Sequence, residues 1–135
     1  MKTRNALIVG ITCSVAVVMT TGTASASNDS PVSVVKYSDC SDSDKQSASG
    51  WFESSGDWFY ARDDCADGHS AVLQVDAAPM GTSEHYDWKL TNTGGASNVV
   101  SEQHNYSEDL RVQVRACVYE GSTELACGNW TQGYA

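Results

Sequence analysis

From Leu110 to Tyr119 the chain alternates without a break: Leu110, Val112, Val114, Ala116 and Val118 are apolar, with Arg111, Gln113, Arg115, Cys117 and Tyr119 between them. A period of two over this length is the pattern of a β-strand with one face in a core. Glu120-Gly121-Ser122-Thr123-Glu124 then supplies a turn, and Leu125-Ala126-Cys127 begins a return strand. In an antiparallel pair, only residues directly opposite each other share a face at bridging distance. A loop of three or five residues centred on Ser122 sets Cys117 opposite Cys127, whereas a two-residue Gly121-Ser122 turn sets Cys117 opposite Ala126. A Cys117–Cys127 bridge therefore calls for a loop of odd length.

Whether such a bridge forms depends on the compartment, and the first residues speak to that. Lys2 and Arg4 precede an uncharged stretch from Ala6 to Met19, followed by a small-residue tail ending Ala24-Ser25-Ala26. This reads as a secretory signal peptide, residues 1–26, cleaved after Ala26. A Thr-rich second half argues against a membrane anchor, and Cys13 leaves with the signal. Cys40, Cys65, Cys117 and Cys127 remain, an even number in an oxidising compartment, so two disulfides are expected. Of the three connectivities, Cys40–Cys65 and Cys117–Cys127 is favoured. In the chain-entropy model each closure contributes about 3 kcal/mol, a large share of a small domain's stability. A zinc site is disfavoured, since no C-x-x-C spacing occurs and thiolates would be needed outside the cell.

The chain of 135 residues carries 17 acids against 8 Lys and Arg, a formal charge of −9, and loss of Lys2 and Arg4 makes it two units more negative. That balance speaks against nucleic acid or an anionic membrane as partners. One domain is expected, with residues 27–46 forming an N-terminal strand and acidic loop that belong to a body at 47–135, present as a monomer. No 3.6-residue period of helical length appears after the signal. Strands are expected near 32–37, 48–54, 57–62, 70–77, 84–92, 96–101, 109–120 and 124–131, separated by Gly, Ser, Asn and Asp. Their spacing points to an all-β fold, a small antiparallel β-sandwich or squat barrel with two disulfides. Ala71, Leu73 and Val75 are expected in the core opposite Val72 and Gln74. Tyr86, Trp88 and Leu90 face inward opposite His85, Asp87 and Lys89. Trp88 is the candidate central aromatic, and Trp130 the candidate cover for the second disulfide.

Between the strands at 48–54 and 57–62 lies Glu53-Ser54-Ser55-Gly56-Asp57-Trp58, a hairpin turn. With Ser55-Gly56 at its tip, Phe52 falls opposite Phe59, Trp51 opposite Tyr60 and Glu53 opposite Trp58. One face then carries Gly50, Phe52, Phe59 and Ala61; the other carries Trp51, Glu53, Trp58, Tyr60 and Arg62. Glu53 and Arg62 would need partners in a core, so the Phe face goes inward. Three large aromatics are left outside, where ring faces suit sugar rings or a partner's apolar side chains. Trp51, Glu53, Trp58, Tyr60 and Arg62 are the candidate ligand-binding residues.

Other motifs weigh less. Asp63-Asp64-Cys65-Ala66-Asp67-Gly68-His69 has calcium-like acids but fails EF-hand spacing, with Cys65 and Gln74 at ligand positions, and reads as an Asp-Gly turn. Gly68-His69-Ser70-Ala71-Val72 is one residue short of a Gly-x-Ser-x-Gly elbow and lacks its strand-turn-helix context. His69, His85 and His104 join no hydrolase motif. No metal, cofactor or catalytic residue is assigned. Asn28, Asn105 and Asn129 each open an Asn-x-Ser/Thr triplet, relevant only in a host that glycosylates.

Gly56-Asp57-Trp58-Phe59, Asp67-Gly68-His69-Ser70-Ala71-Val72 and Arg115-Ala116-Cys117 through Cys127-Gly128-Asn129-Trp130-Thr131-Gln132-Gly133-Tyr134-Ala135 resemble a group of small secreted actinobacterial proteins. The resemblance spans roughly residues 50–135 and implies export and a small β fold. A looser similarity exists to secreted actinobacterial α-amylase inhibitors of the tendamistat type. These present a Trp-Arg-Tyr turn in a two-disulfide β-sandwich, and here Trp58-Phe59-Tyr60 has Phe59 where the inhibitory Arg would be. The expectation is a secreted, extracellular, non-catalytic binding module whose partner is a carbohydrate, a cell surface or a protein. The alternatives are an inhibitor of an extracellular hydrolase and a small secreted hydrolase.

Overall fold

The computed structural model describes residues 28–37, 40, 45–77 and 85–135. The expected signal peptide, the acidic loop around Asp42 and the start of the strand expected from residue 84 lie outside them. The described residues contain no helix and form nine strands: β1 Ser33–Val35, β2 Ala48–Glu53, β3 Trp58–Asp63, β4 Ser70–Asp76, β5 Trp88–Asn92, β6 Val99–Gln103, β7 Arg111–Glu120, β8 Thr123–Cys127 and β9 Thr131–Tyr134. They make two antiparallel sheets. The first runs β1-β2-β3-β6; the second runs β5-β4-β7-β8, with β9 also on β7. The sheets pack face to face, so the sandwich holds over the barrel.

Between the sheets lies a core of Phe52, Phe59 and Ala61 from the first sheet and Leu73, Val75, Leu90, Val112 and Val114 from the second. The β2–β3 register is the one the hairpin sequence implies, with Trp51 opposite Tyr60, Phe52 opposite Phe59 and Glu53 opposite Trp58. The turn closes through Asp57 N–H to Ser54 O, with positive φ at Gly56 and Asp57. Gly50 faces inward, where a Cβ would meet Leu73 Cδ1 and the Tyr60 carbonyl oxygen, so this strand position leaves no room for a side chain.

Both expected disulfides are present, Cys40–Cys65 and Cys117–Cys127. The loop of odd length is not. Cys117 does oppose Cys127, yet Glu120 pairs with Thr123 around a two-residue Gly121-Ser122 turn. Tyr119 opposes Glu124 and Val118 opposes Ala126, so Leu125 is an extra residue and a β-bulge restores the parity. Leu125 packs on the inner cluster of Val35, Ala48, Ala71, Ala116 and Val118. The strand expected at 124–131 is also two strands. Val114 opposes Thr131, so Gly128, Asn129 and Trp130 stand against only Arg115 and Ala116.

Ser33 enters that gap from β1. Its Oγ accepts the Ala116 N–H at 3.0 Å and donates to the Asn129 carbonyl at 2.7 Å. A Cβ on Gly128 would collide with the Val34 carbonyl oxygen, so glycine lets β1 come this close. Upstream, Asn28 pairs backbone to backbone with Tyr134, and Ser30 bonds Phe52 through both its N–H and its Oγ. Residues 28–35 thus tie the sheets together along one side. On the other side, the fully buried Asn92 donates to Ala61 O at 2.9 Å and to Asn98 O at 2.8 Å, and accepts the Gly94 N–H. This holds a turn over residues 93–98, which delays β6 beyond the strand expected at 96–101.

Two core expectations need correction. Trp88 does not occupy the centre, which belongs to Phe52 and Phe59. It is half-buried at the sandwich edge, stacked on His104 at 4.1 Å, where its Nε1–H reaches the Tyr106 hydroxyl at 3.0 Å. An indole needs such a partner for its N–H, and the apolar centre offers none. Ala71, Leu73 and Val75 do face the core, but Val72 and Gln74 on the opposite face are buried as well. Tyr119 and the Cys117–Cys127 bridge cover that side. Trp130 packs with the Arg115 guanidinium, 4.7 Å from its ring centre.

Candidate ligand-binding face

Alternation along β2 and β3 places Trp51, Glu53, Trp58, Tyr60 and Arg62 on the outer face of the first sheet, the inner face being taken by Gly50, Phe52, Phe59 and Ala61. Trp51, Glu53, Trp58 and Tyr60 are half-buried and Arg62 is exposed. The neighbouring strands complete three rows: Glu53, Trp58 and Gln103; Trp51, Tyr60 and Ser101; Val34, Ser49, Arg62 and Val99. The sequence thus brings all five expected residues to one face and misses the contributions of β1 and β6. The segment Val99-Val100-Ser101-Glu102-Gln103 has no apolar/polar alternation that could have assigned its face.

The polar groups on this face are matched locally. Tyr60 O–H donates to Glu53 Oε2 at 3.1 Å, and the Arg62 Nε–H meets Asp64 Oδ1 at 2.8 Å. Loss of water around the Tyr60 hydroxyl, reinforced by its bond to the Glu53 carboxylate, raises its pKa above the usual tyrosine value. Trp51 and Tyr60 stack with centroids 4.9 Å apart and planes within 12°. The pair is therefore no flat platform of ring faces, because each ring gives one face to the other.

Both ends of the face open into cavities. One, of about 460 Å³, is lined by Lys45, Gln46, Arg62, Asp64 and Ser97. The other, of about 400 Å³, is lined by Gly56, Asp57, Gln103, His104 and Asn105. Gly56 has φ near +87°, and a Cβ there would press on Trp58 Nε1 and Gln103 Nε2; Gln103 Nε2–H donates to its carbonyl at 2.9 Å. The second cavity is held by Asp57, whose Oδ2 accepts the Tyr106 N–H and whose carbonyl accepts the His104 N–H.

The acidic loop after β3 turns inward on itself. Asp63 Oδ1 accepts the Cys65 N–H, and Asp67 Oδ1 accepts the His69 N–H and lies 3.3 Å from His69 Nδ1. Burial is the main cause that lifts Asp63 above its usual carboxyl value; Asp67 and Asp64 add to it. Among the described residues the one set of His, Cys and acidic groups close enough to share a metal is Cys117, Glu124 and Cys127, and its two sulfurs are bonded to each other. His104 is taken up in a stack with Trp88 and Tyr106, with Nε2 3.0 Å from Glu102 Oε1.

On the outer face of the second sheet a polar cluster surrounds Gln74, which the sequence reading did not anticipate. Gln74 Nε2 donates to Tyr119 Oη and Glu124 Oε2, and its Oε1 accepts from Arg115 Nε at 2.7 Å. Lys89 lies 4.5 Å from the Tyr119 ring centre. Every donor and acceptor of the carboxamide side chain is engaged within the protein, so this cluster reads as a structural clamp across β4, β7 and β8. No family model, no curated protein and no solved structure matches the chain.

Proposed function

We propose that this chain is a secreted, non-catalytic carbohydrate-binding module that engages its target through the outer face of the first sheet. The observation that carries the reading is the grouping of Trp51, Trp58 and Tyr60, half-buried and on one face of a sheet whose other face is the core. Rings held rigid by strand pairing lose little entropy on binding, and their apolar faces match the C–H faces of sugars while nearby polar groups address hydroxyls. Export is supported by the signal-like first residues and the two disulfides. No helix among the described residues is long and apolar enough to cross a membrane. The likeness to amylase inhibitors draws no support from Trp58-Phe59-Tyr60, since Phe59 is fully buried and cannot present a contact.

The test is retention on insoluble polysaccharides together with quenching of tryptophan emission. Wild-type protein should bind at least one polysaccharide, and Trp58→Ala should weaken binding about tenfold or more at unchanged thermal unfolding. Equal retention of the variant, or no retention of either protein on cellulose, chitin, xylan or starch, overturns the proposal.

A further inference from the structure

The way the Trp51–Tyr60 pair stands goes beyond a generic aromatic patch and, resting on the reading above, names the ligand. The two residues are directly opposite on β2 and β3, and their ring centroids are 4.9 Å apart, which is the spacing between neighbouring strands. Nearly parallel rings at that spacing stand on edge from the sheet, stacked along the direction in which the strands pair. Trp51 approaches from the β2 side and occupies one face of Tyr60. The other face of Tyr60 therefore looks towards β6, where its partner is the small, exposed Ser101.

The strip over β6 is a one-sided trough, bounded by Tyr60 and Trp58 on its β3 side and open beyond β6, the edge of the sheet. One end meets the cavity that includes Ser97 and Arg62, the other the cavity that includes Gln103. From Val99 to Gln103 the extended strand covers about 13 Å, with a cavity beyond each end. Room of that length, open at both ends, suits several rings of a chain that continues past the protein.

The chemistry of the trough narrows the occupant. Its floor offers exposed Val99, the Ser101 hydroxyl and the Gln103 carboxamide, and its charges are matched: Arg62 with Asp64 at 2.8 Å, Glu53 with the Tyr60 hydroxyl at 3.1 Å. A formal charge of −9 over the whole chain repels polyanions. The absence of deep apolar lining gives a peptide's side chains nowhere to anchor. We infer that the trough over β6 binds an internal stretch of a linear, uncharged polysaccharide laid lengthwise, with one sugar ring against the open face of Tyr60.

The experiment is calorimetric titration with cello-, xylo-, chito- and malto-oligosaccharides from disaccharide to hexasaccharide, and with oligogalacturonates as the acidic comparison. In one neutral series affinity should climb about tenfold or more with length and then level off. Ser101→Trp, which fills the trough at an exposed strand position, should abolish that binding with thermal unfolding unchanged. Affinity independent of length in a series that binds, or binding that survives Ser101→Trp in the folded variant, overturns the lengthwise trough while leaving the binding module standing. Tighter binding of the acidic series overturns the uncharged ligand. No binding of any sugar by wild-type protein overturns both readings together.

Discussion

The hydroxyl of Ser33, on the edge strand β1 of the first sheet, accepts the backbone N–H of Ala116 in the middle strand of the second. The bulged Gly128-Asn129-Trp130 segment serves only the Ala116 carbonyl, through Gly128 N–H at 2.8 Å, so the Ala116 N–H turns to Ser33, whose own proton goes to Asn129 O. Ser33→Ala removes both bonds at a site 2% exposed and leaves the Ala116 N–H buried without an acceptor. The expected loss is about 2–3 kcal/mol, read from urea unfolding as a lower midpoint at unchanged slope.

Asp63 is held protonated to higher pH in the folded chain than in the unfolded one, chiefly because burial disfavours its charge. Below its unfolded value both states carry the proton and the group costs nothing. As pH rises through that value the unfolded state ionises first, so stability is lost. Asp63→Asn keeps an oxygen for the Cys65 N–H and removes the charge. The variant should be more stable than wild type at neutral pH, with the difference vanishing below about pH 4. Denaturant titrations at the two pH values decide it; a variant less stable at neutral pH would show that the carboxylate is needed as an anion.

Alkaline conditions should act through Tyr119. Burial first, then its bond to Glu124, raises this phenol well above the usual tyrosine value. The folded chain keeps the proton that the unfolded chain releases, so Tyr119's contribution is complete below about pH 10 and is lost as pH rises beyond it, with a limiting slope near 1.4 kcal/mol per pH unit. Tyr119→Phe should start less stable at neutral pH, through loss of the bonds to Gln74 and Glu124, and should show a shallower decline above about pH 10. Thermal unfolding across that range, beside an ultraviolet titration of phenolate, checks both parts.

Register in the last hairpin gives a further outcome to measure. Because Leu125 is the extra residue, deleting it should leave Cys117 opposite Cys127 and the bridge formed, at a cost of about 2 kcal/mol in lost core contacts. Deleting Gly121 instead leaves the same number of residues between the cysteines, so a Ser122-Thr123 turn keeps Cys117 opposite Cys127 without the bulge and sets Leu125 opposite Tyr119, away from the core. Mass spectrometry after treatment with a thiol-blocking reagent should find the bridge intact in both variants.

How far the sequence could be read follows from the range of the forces involved. The alternation of Leu110–Tyr119 and the Trp51–Tyr60 register are local, set by the pleat and a short turn, and both are found in the structure. The Cys117–Cys127 pairing was legible from that alternation, although a bulge and not an odd turn supplies its parity, whereas Cys40–Cys65 had no register argument of its own and was favoured as the companion pair. The Leu125 bulge was not, since it depends on a cluster that includes Val35 and Ala48 from far up the chain. Burial of Gln74 was hidden because its cover, Tyr119 and Arg115, lies more than forty positions away. The candidate face was legible in its β2 and β3 residues, while Ser101 and Gln103 joined it only through long-range pairing with β3.

Asn28 and Tyr134 exchange two backbone bonds, Asn28 N–H to Tyr134 O at 3.0 Å and Tyr134 N–H to Asn28 O at 2.8 Å. A polypeptide made amino end first cannot form that contact until the segment around Tyr134 has emerged from the ribosome. Assembly of this edge therefore waits for the segment around Tyr134, and the strands made earlier stay unpaired there until it arrives.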